Sequence, residues 1–352
     1  MGPHQRENSP DLNNADTDLR VVAIGGGTGL STLLKGLKRY VLTPALAASG
    51  QTAIAELSGV VTVTDDGGSS GRLRKEFNML PPGDVRNCIV ALSEDEALLS
   101  RLFQHRFRKG SGLEGHSFGN LFLAALTSIT GDFAEAVRLS SEILLTRGHI
   151  YPATTSNVEL EAEFEDGPRV RGETRITASK GRIRELFLDP PDVKPLPQTL
   201  EAIAEADLIT IGPGSLFTSL IPNLLVRGFA EAVAGSSAVK VYVCNLMTQA
   251  NESLGLSAAE HIRALNRHAH RQLFDYALMN QKPASDPMRA KYALEGASQI
   301  VVDLEAIEAL GVCPILGDYL EEGEVARHAT DRVAHDLMAL MAQAPARHAT
   351  SR

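Results

Sequence analysis

Short apolar runs that end at glycine or polar residues recur along the chain. The first covers residues 21–24 and ends at Gly25, which is typical of a strand buried on both faces of a parallel sheet. Runs of the same kind predict further strands at 59–63, 208–211, 239–243 and 276–279. Apolar residues with helical spacing predict helices at 30–37, 121–129, 200–206 and 333–341. Strands that alternate with helices predict an α/β fold with a doubly wound, mostly parallel sheet.

A different periodicity interrupts this alternation. Apolar and polar residues alternate at 158–164 and 170–176, and the Asp166-Gly167 pair between them is a strong hairpin signal. We therefore expect an antiparallel β excursion on the main sheet. The expected organisation is a disordered tail at 1–18, one domain at 19–330 with the excursion at about 149–190, and a C-terminal helix with a frayed end at 331–352.

The composition of the 352 residues narrows the classes of protein. The 43 acidic against 34 basic residues give a net charge of -9, which disfavours a nucleic-acid partner held by phosphate neutralisation. No apolar run is long enough for a membrane span, and the first 18 residues lack the apolar stretch of a secretory signal. Three widely separated cysteines form neither a disulfide framework nor a zinc cluster, so we expect a reducing cytoplasm.

Two glycine-rich segments follow predicted strands and are candidates for phosphate binding. They comprise Gly26, Gly27, Thr28 and Gly29, and then Gly212, Pro213, Gly214 and Ser215. Glycine lets the backbone approach a ligand closely, and a helix start offers free N–H groups. Ligands of such sheets bind beyond the carboxyl ends of the strands, so we expect the two segments to clamp one phosphorylated ligand. The alternative for either segment is a tight turn without a ligand.

Neither segment matches a standard nucleotide motif. Leu30 stands where the G-x-G-x-x-G fingerprint needs its last glycine, and no lysine occurs before Lys35 to complete a Walker loop. The first mismatch counts against an NAD-binding oxidoreductase, and the second against a P-loop kinase.

A third polar segment pairs two carboxylates with two hydroxyls: Asp65, Asp66, Ser69 and Ser70. Carboxylates beside a phosphate are unfavourable, so they are expected to contact sugar hydroxyls, a proton-donating acceptor, or a Mg²⁺ ion that reverses the local charge. The alternative is a turn in which the carboxylates bind only neighbouring backbone N–H groups.

Further candidates lie in two later loops. Arg86 is a planar fork suited to phosphate or carboxylate, with Asn87 beside it, and its alternative is a surface pair with Asp84. His116 and Asn120 precede a predicted helix and either cap it or reach a ligand. We set aside His261, His268 and His270, which are expected to be solvated, together with the basic patch at 72–75.

Six blocks carry a resemblance to a known family: VVAIGGGTGL, VTDDGGSSGRLRKEF, LPPGDVRNCIVALS, HSFGNLFLAAL, IGPGSLFTSLIPNLLV and VYVCNLMTQ. Together, over roughly residues 20–325, they resemble the bacterial gluconeogenesis factor family, which is related to 2-phospho-L-lactate transferase. The resemblance implies a Rossmann-like fold, a cytoplasmic location and a link to gluconeogenic growth, cell shape and wall-precursor metabolism. It also implies binding of UDP-sugars such as UDP-N-acetylglucosamine, and some members of the family bind dinucleotides.

The resemblance assigns roles to particular positions. Residues 26–29 match the nucleotide loop, residues 212–215 match the second loop, and Asn245 follows the next strand. Asp65 and Asp66 match the pair that faces the acceptor in the transferase relatives. Residues 250–253 read Ala-Asn-Glu-Ser where the family tends to carry Pro-Gly-Glu-Thr, which puts a ligand role of that loop in doubt.

Three functions remain open at this point. The first is a regulatory protein that binds a UDP-sugar or another nucleotide diphosphate, with no catalytic residue, metal or cofactor assigned. The second is a Mg²⁺-dependent transferase that moves a phospholactyl-like group, in which Asp66 orients or deprotonates the acceptor. The third, favoured least, is the NAD-binding oxidoreductase. We also expect a homo-oligomer, and the sequence names no protein partner.

Overall fold

The structure is a computed structural model and describes residues 18–49, 51–94, 98–165, 167, 169–179 and 181–343. The predicted tail, apart from Asp18, and the predicted frayed end beyond residue 343 lie outside these residues. The strands are β1 (Asp18–Gly25), β2 (Ala53–Val61), β3 (His149–Pro152), β4 (Glu159–Phe164), β5 (Arg169–Arg171), β6 (Ile183–Asp189), β7 (Leu208–Ile211), β8 (Val239–Val243), β9 (Tyr276–Asn280), β10 (Cys313–Gly317), β11 (Leu320–Glu322) and β12 (Ala326–His328).

Helices fill most of the connections between these strands. They are α1 (Gly27–Leu37), α2 (Pro44–Ser49), α3 (Gly68–Phe77), α4 (Gly83–Leu92), α5 (Leu98–Gln104), α6 (Phe118–Thr130), α7 (Phe133–Ile143), α8 (Glu173–Ala178), α9 (Pro197–Glu205), α10 (Ile221–Leu224), α11 (Phe229–Gly235), α12 (Ala258–Ala269), α13 (Asp286–Ala293), α14 (Leu304–Glu308) and α15 (Thr330–Gln343). A 3₁₀ turn at Lys38–Tyr40 extends α1, and a π-helical turn at Leu216–Leu220 precedes α10.

Seven parallel strands form the central sheet in the order β3-β2-β1-β7-β8-β9-β10. The strand order reverses between β1 and β7, which makes this the switch point of a doubly wound sheet. The predicted Rossmann-like α/β class with a mostly parallel sheet is therefore confirmed. The edge strands β3 and β10 were not predicted, because neither is a fully buried apolar run, and β10 contains Pro314, which suits an edge rather than a central strand.

The antiparallel excursion is confirmed as a separate three-stranded sheet in the order β5-β4-β6. It occupies a shorter stretch than the expected 149–190, since His149–Pro152 is the edge strand β3 of the main sheet. Asp166 of the predicted turn lies outside the described residues. Along β4 half-buried and buried side chains alternate, which explains why the period of two was visible in the sequence.

The core lies on both faces of the main sheet. The helix predicted at 30–37 buries all four leucines of its apolar face, and Gly36 of that helix lets α15 approach closely. Within the described part of the chain, no single helix is long and apolar enough to cross a membrane. The pair Leu216–Leu224 and Phe229–Gly235, bent by 79°, matches a span in length and composition only.

Two expectations of solvated side chains are wrong. His261 and His268 are buried, and the Nδ1 of each donates to a backbone carbonyl four residues earlier, at 2.8 Å. The Nε2 of His268 also accepts the N–H of Leu186 in β6, because the antiparallel sheet covers this face of α12. Arg74 is likewise buried, and its Nε donates a hydrogen bond to the side chain of Asn157. A contact made by a distant segment leaves no local pattern in the sequence.

Candidate functional site

A cleft of about 560 Å³ opens at the carboxyl ends of β1, β7 and β8, at the switch point of the sheet. Its volume falls in the usual range for sites that bind small molecules. The lining residues are residues 26–29, Pro213, Gly214, Ser215, Ser219, residues 245–250, Lys291, Tyr292, Glu295, Ala297, Val325, Ala326 and His328. The cleft therefore combines both predicted glycine segments with a wall from the last third of the chain.

The two glycine segments touch each other directly. A Cβ atom on Gly29 would lie 2.2 Å from the carbonyl oxygen of Pro213, so only glycine fits there. The contact arises because β1 and β7 are neighbours, with Ile24 paired to Ile211. The segments consequently form one continuous surface, whereas we expected them to hold a ligand from two sides.

The first segment leads into the N-terminus of α1. Gly27 has a φ of +60°, a left-handed conformation that favours glycine. Its N–H donates to Oδ2 of Asp84 at 2.7 Å. The next two N–H groups, of Thr28 and Gly29, belong to the first turn and have no helical carbonyl to pair with. They are the donors that α1 offers to an anion.

Asp84 is a further residue of the site, and its contact with Gly27 was not predicted from the sequence. The pKa of its carboxyl is raised to about 6, mainly by burial and then by the charge of Asp65, while the bond from Gly27 acts in the opposite direction. The only sequence signal was its place in the same loop as Arg86 and Asn87. Its true partner lies 57 positions earlier.

The second segment is held by side chains from the loop after β8. Asn245 accepts the N–H of Gly214 at 3.0 Å and donates to the carbonyl of Gly214 at 2.7 Å. Gln249 donates to the hydroxyl of Ser215 at 2.9 Å. Asn245, placed in the site by the resemblance, therefore fixes the backbone of the second segment.

Residues 250–253, which differ from the family pattern, also help to hold the second glycine segment and the turn that follows it. The carboxylate of Glu252 is buried and accepts from the hydroxyl of Thr218 at 2.9 Å and from the N–H of Phe217 at 3.4 Å. The hydroxyl of Ser253 accepts the N–H of Gln249. The loop is thus stiffened by side-chain hydrogen bonds.

The remaining wall of the cleft comes from α13 and β12, and it was not predicted from the sequence. Lys291 donates to the carbonyl of Glu324, and the hydroxyl of Tyr292 accepts the N–H of Ala326 at 3.1 Å. Nε2 of His328 donates to the carbonyl of Cys244 at 2.9 Å, and burial lowers the pKa of His328 to about 4. Among the described residues that line the cleft, Lys291 carries the one ammonium group. No glycine or turn motif marks this region.

The acidic segment lies outside the lining of the cleft. Oδ1 of Asp65 accepts the N–H of Gly67 at 2.8 Å, which is the local turn expected if this carboxylate contacts no ligand. Oδ1 of Asp66 accepts both the N–H and the hydroxyl of Thr174, at 2.8 and 2.5 Å. The second oxygen of each carboxylate accepts no hydrogen bond from the part of the chain that the structure describes.

Ser69, His116 and Asn120 form a buried group of hydrogen bonds. The hydroxyl of Ser69 lies 2.9 Å from Nδ1 of His116 and accepts from Nδ2 of Asn120 at 3.1 Å. Burial is the main cause that lowers the pKa of His116. The cap of α6 is instead Ser117, whose hydroxyl accepts the N–H of Asn120.

Arg86 is also buried in this second region. Its guanidinium donates to the hydroxyl of Ser117 at 2.5 Å and to Oδ1 of Asn87 at 2.7 Å. Burial is the main cause that lowers its pKa. Arg86 therefore holds α4 against the start of α6, and it does not line the cleft.

The seventeen predicted site residues thus divide between two neighbouring regions. The cleft contains Gly26, Gly27, Thr28, Gly29, Pro213, Gly214, Ser215 and Asn245, whereas Gly212, which directly precedes Pro213, does not line it. The second region, which we call the acidic shoulder, contains Asp65, Asp66, Ser69, Ser70, Arg86, Asn87, His116 and Asn120. Asp84 connects the two through its hydrogen bond to Gly27.

Acidic side chains cluster where the acidic shoulder meets the cleft, and their proximity disfavours ionisation. The pKa of Glu173 is raised to about 9 by burial first and then by the charges of Asp65 and Asp84. Among the described residues, no group of three or more His, Cys, Asp or Glu could hold a metal ion. Mg²⁺ commonly uses one or two carboxylates and completes its shell with water and phosphate oxygens. Asp65 and Asp66 fit that limited role through their second oxygens.

Comparisons with known proteins agree with this architecture. The family model described as 2-phospho-L-lactate transferase CofD matches residues 21–320. The gluconeogenesis factor of Halalkalibacterium halodurans is 49% identical over 320 residues, which cover 90% of this chain and 95% of that protein. The gluconeogenesis factor of Bacillus subtilis is 46% identical over 323 residues, or 92% and 98% of the two chains.

A solved structure is similar over almost the same range. The crystal structure of a protein from Bacillus halodurans superposes with a TM-score of 0.86 at 48% sequence identity. The match covers 91% of this chain and 99% of that one.

Proposed function

This chain belongs to the gluconeogenesis factor family, within the larger group matched by the 2-phospho-L-lactate transferase model, and we propose that it is a nucleotide-sugar-binding regulatory protein. We propose that its ligand is a UDP-sugar, and that the bound state regulates central carbon metabolism, cell shape and wall-precursor synthesis. The supporting observation is a single cleft at the switch point, in which two contacting glycine segments meet free N–H groups of a helix start.

The chemistry of the cleft suits a diphosphate that carries a base and a sugar. The N–H groups of Thr28 and Gly29 and the ammonium of Lys291 are donors for phosphate oxygens. The half-buried ring of Tyr292 offers an aromatic face for a base. The carboxylates of the acidic shoulder accept hydrogen bonds from sugar hydroxyls, and this avoids contact between carboxylate and phosphate.

Net charge cannot bring the ligand to the protein, since the chain carries -9. Binding must then rest on local donors, and a hydrogen bond to a charged group contributes about 1.5–3 kcal/mol. Isothermal titration with UDP-N-acetylglucosamine tests the proposal, with GDP and NAD as comparisons. Saturable binding of the UDP-sugar supports it. Absence of binding by any uridine nucleotide would refute it.

A transferase is the second candidate, because Thr174 fixes Asp66 through one carboxylate oxygen, while the other accepts no hydrogen bond from the described residues. In that reaction an acceptor hydroxyl attacks the phosphorus of a nucleoside-diphospholactate, the bond to the nucleoside phosphate breaks, and nucleoside monophosphate leaves. Asp66 would take the proton of the hydroxyl. Mg²⁺ would supply charge neutralisation at the phosphates, held in part by the second carboxylate oxygen of Asp65, while that of Asp66 serves as the base.

Release of nucleoside monophosphate distinguishes the two candidates. A transferase requires the release to depend on donor, acceptor and Mg²⁺ together, and to stop in the Asp66→Asn variant. If EDTA leaves UDP-sugar binding unchanged and no monophosphate appears, the regulatory function is favoured. We place this function in the cytoplasm, since the three cysteines are free thiols, and we propose that the chain works as a homo-oligomer.

A further inference from the structure

A second cavity, of about 470 Å³, lies beside the π-helical turn that follows the second glycine segment. The turn contributes Ser219 to the lining of the cleft and Phe217 to the lining of this cavity. Its other walls come from α12, from the start of β6 and from the loop that follows Gln249. The cavity is therefore separate from the proposed nucleotide site, but the two share one turn.

Three arginines converge on this cavity: Arg182, Arg263 and Arg267. Arg263 and Arg267 stand four residues apart on α12, a spacing at which like charges repel each other. With the residues that the structure describes, none of the three guanidinium groups makes a hydrogen bond or an ion pair. Most other arginines in the described ranges have such a partner, for example Arg138 and Arg171. All three side chains are exposed to solvent, so their guanidinium donors are accessible to an anion that enters the cavity.

Two of the three glutamates in the cavity wall are already satisfied by other groups. Glu252 accepts from Phe217 and Thr218, as described above. Glu260 accepts the N–H of Ser257 at 2.7 Å and completes the capping box of α12. Glu165 is the third, so the three arginines of the cavity outnumber the one glutamate whose carboxylate could still pair with them.

We propose that this cavity is a second ligand site, for a small phosphorylated metabolite such as a sugar phosphate. Arginine forks match the oxygens of phosphate, and the three terminal oxygens of a phosphate monoester can engage more forks than a carboxylate can. Phe217, Leu254 and Leu256 provide an apolar wall for the carbon skeleton of the ligand. The residues that line this site are separate from those that line the nucleotide cleft.

The second part of the proposal is that the two sites are coupled, and this part rests on the proposed function. Residues 249–253 contact both, because Gln249 holds Ser215 while Glu252 holds Phe217 and Thr218. An anion among the arginines changes the electrostatic environment of the Glu252 carboxylate and thereby the order of the turn. The ligand in the cavity consequently changes the affinity of the cleft, and the coupling is reciprocal.

Titration with glucose 6-phosphate tests the site, with citrate as a carboxylate probe. We expect saturable binding of glucose 6-phosphate that is at least tenfold weaker in the double variant Arg263→Ala, Arg267→Ala. The control Arg271→Ala, an ion-paired residue just beyond α12, should bind like the parent. No saturable binding, equal binding in the double variant, or tighter binding of citrate would overturn the proposal.

Hydrogen exchange tests the coupling without any nucleotide. Saturating glucose 6-phosphate should slow the exchange of backbone amides in residues 216–224 of the parent and leave the double variant unchanged. It should also change the affinity for UDP-N-acetylglucosamine several-fold. Unchanged exchange would overturn the coupling. Glucose 6-phosphate binding without any UDP-sugar binding would refute the proposed function and leave the second site in place.

Discussion

The carboxylate of Asp84 accepts the N–H of Gly27 at 2.7 Å, so an anionic side chain already occupies the first donor of α1. Burial and the neighbouring Asp65 raise the pKa of Asp84 to about 6, which means that its charge is lost just below neutral pH. A diphosphate bound at Thr28 and Gly29 lies close to this group, and the two repel each other when Asp84 is ionised.

We therefore predict that the affinity for UDP-N-acetylglucosamine rises as the pH falls from 7.5 to 5.5. The gain should be about 1 kcal/mol, or several-fold, since one partly screened charge is removed. Neither phosphate of a UDP-sugar titrates in this range, and His328, with a pKa of about 4, stays neutral. Calorimetry across the pH range measures the effect.

The Asp84→Asn variant is the control for this pH dependence. It keeps an oxygen for the N–H of Gly27 and carries no charge at any pH. Its affinity should be high and nearly constant between pH 7.5 and 5.5. A pH profile as steep as that of the parent would show that another group is responsible.

Gly27→Ala tests the first glycine segment. With φ at +60°, an added Cβ should cost about 1–2 kcal/mol of folding free energy, and it would also stand at the lining of the cleft. We expect at least a tenfold loss of UDP-sugar affinity in a variant that still folds. Calorimetry gives the affinity, and urea denaturation gives the stability.

A matched glycine separates backbone strain from the loss of the site. Gly311 has a φ of +75° with nothing within 4 Å of an added Cβ, and it does not line the cleft. Gly311→Ala should lose similar stability and keep its nucleotide affinity. Equal loss of affinity in both variants would mean that strain alone weakens binding.

Lys291→Ala tests the wall that the sequence did not reveal. Removal of the ammonium group that lines the cleft should weaken UDP-sugar binding about 10- to 100-fold, the range of a hydrogen bond to a charged group. Lys282→Ala is the matched control, because Lys282 also donates to a backbone carbonyl, that of Leu320, but does not line the cleft. Calorimetric titration of both variants with the same UDP-sugar measures the two affinities. An equal loss of affinity would exclude a direct role of Lys291 in binding.

The parts of the site that the sequence revealed depend on local chemistry. A buried strand, a glycine turn and a helix start are contiguous in the chain, so Gly26 and Gly214 could be identified from their neighbours. The parallel sheet could be predicted for the same reason, since β1, β7, β8 and β9 are mostly apolar and mostly buried.

The parts of the site that the sequence did not reveal depend on strand order and tertiary contacts. Lys291 and His328 reach the cleft only because the later segments fold back over the ends of β7 and β8. Arg86 was predicted as a ligand fork, but its partners Ser117 and Asn87 satisfy two of its donors inside the protein. No spacing rule distinguishes an arginine that binds a ligand from one that joins two helices.

Glu173 should make the stability of the protein depend on pH. Its pKa is raised from 4.5 to about 9, so the folded state holds a proton that the unfolded chain releases above pH 4.5. The resulting stabilisation is complete below pH 4.5 and is lost as the pH rises towards 9. The free energy of unfolding should fall by less than the limit of about 1.4 kcal/mol per pH unit, because the side chain is half-buried. Glu173→Gln cannot lose a proton, so in urea denaturation its stability relative to the parent should increase steadily from pH 5.5 to 8.5.

Glu308→Gln, an exposed change on α14, is the control and should follow the parent at every pH. A constant difference between Glu173→Gln and the parent would show that Glu173 is ionised throughout and that the acidic shoulder tolerates its charge.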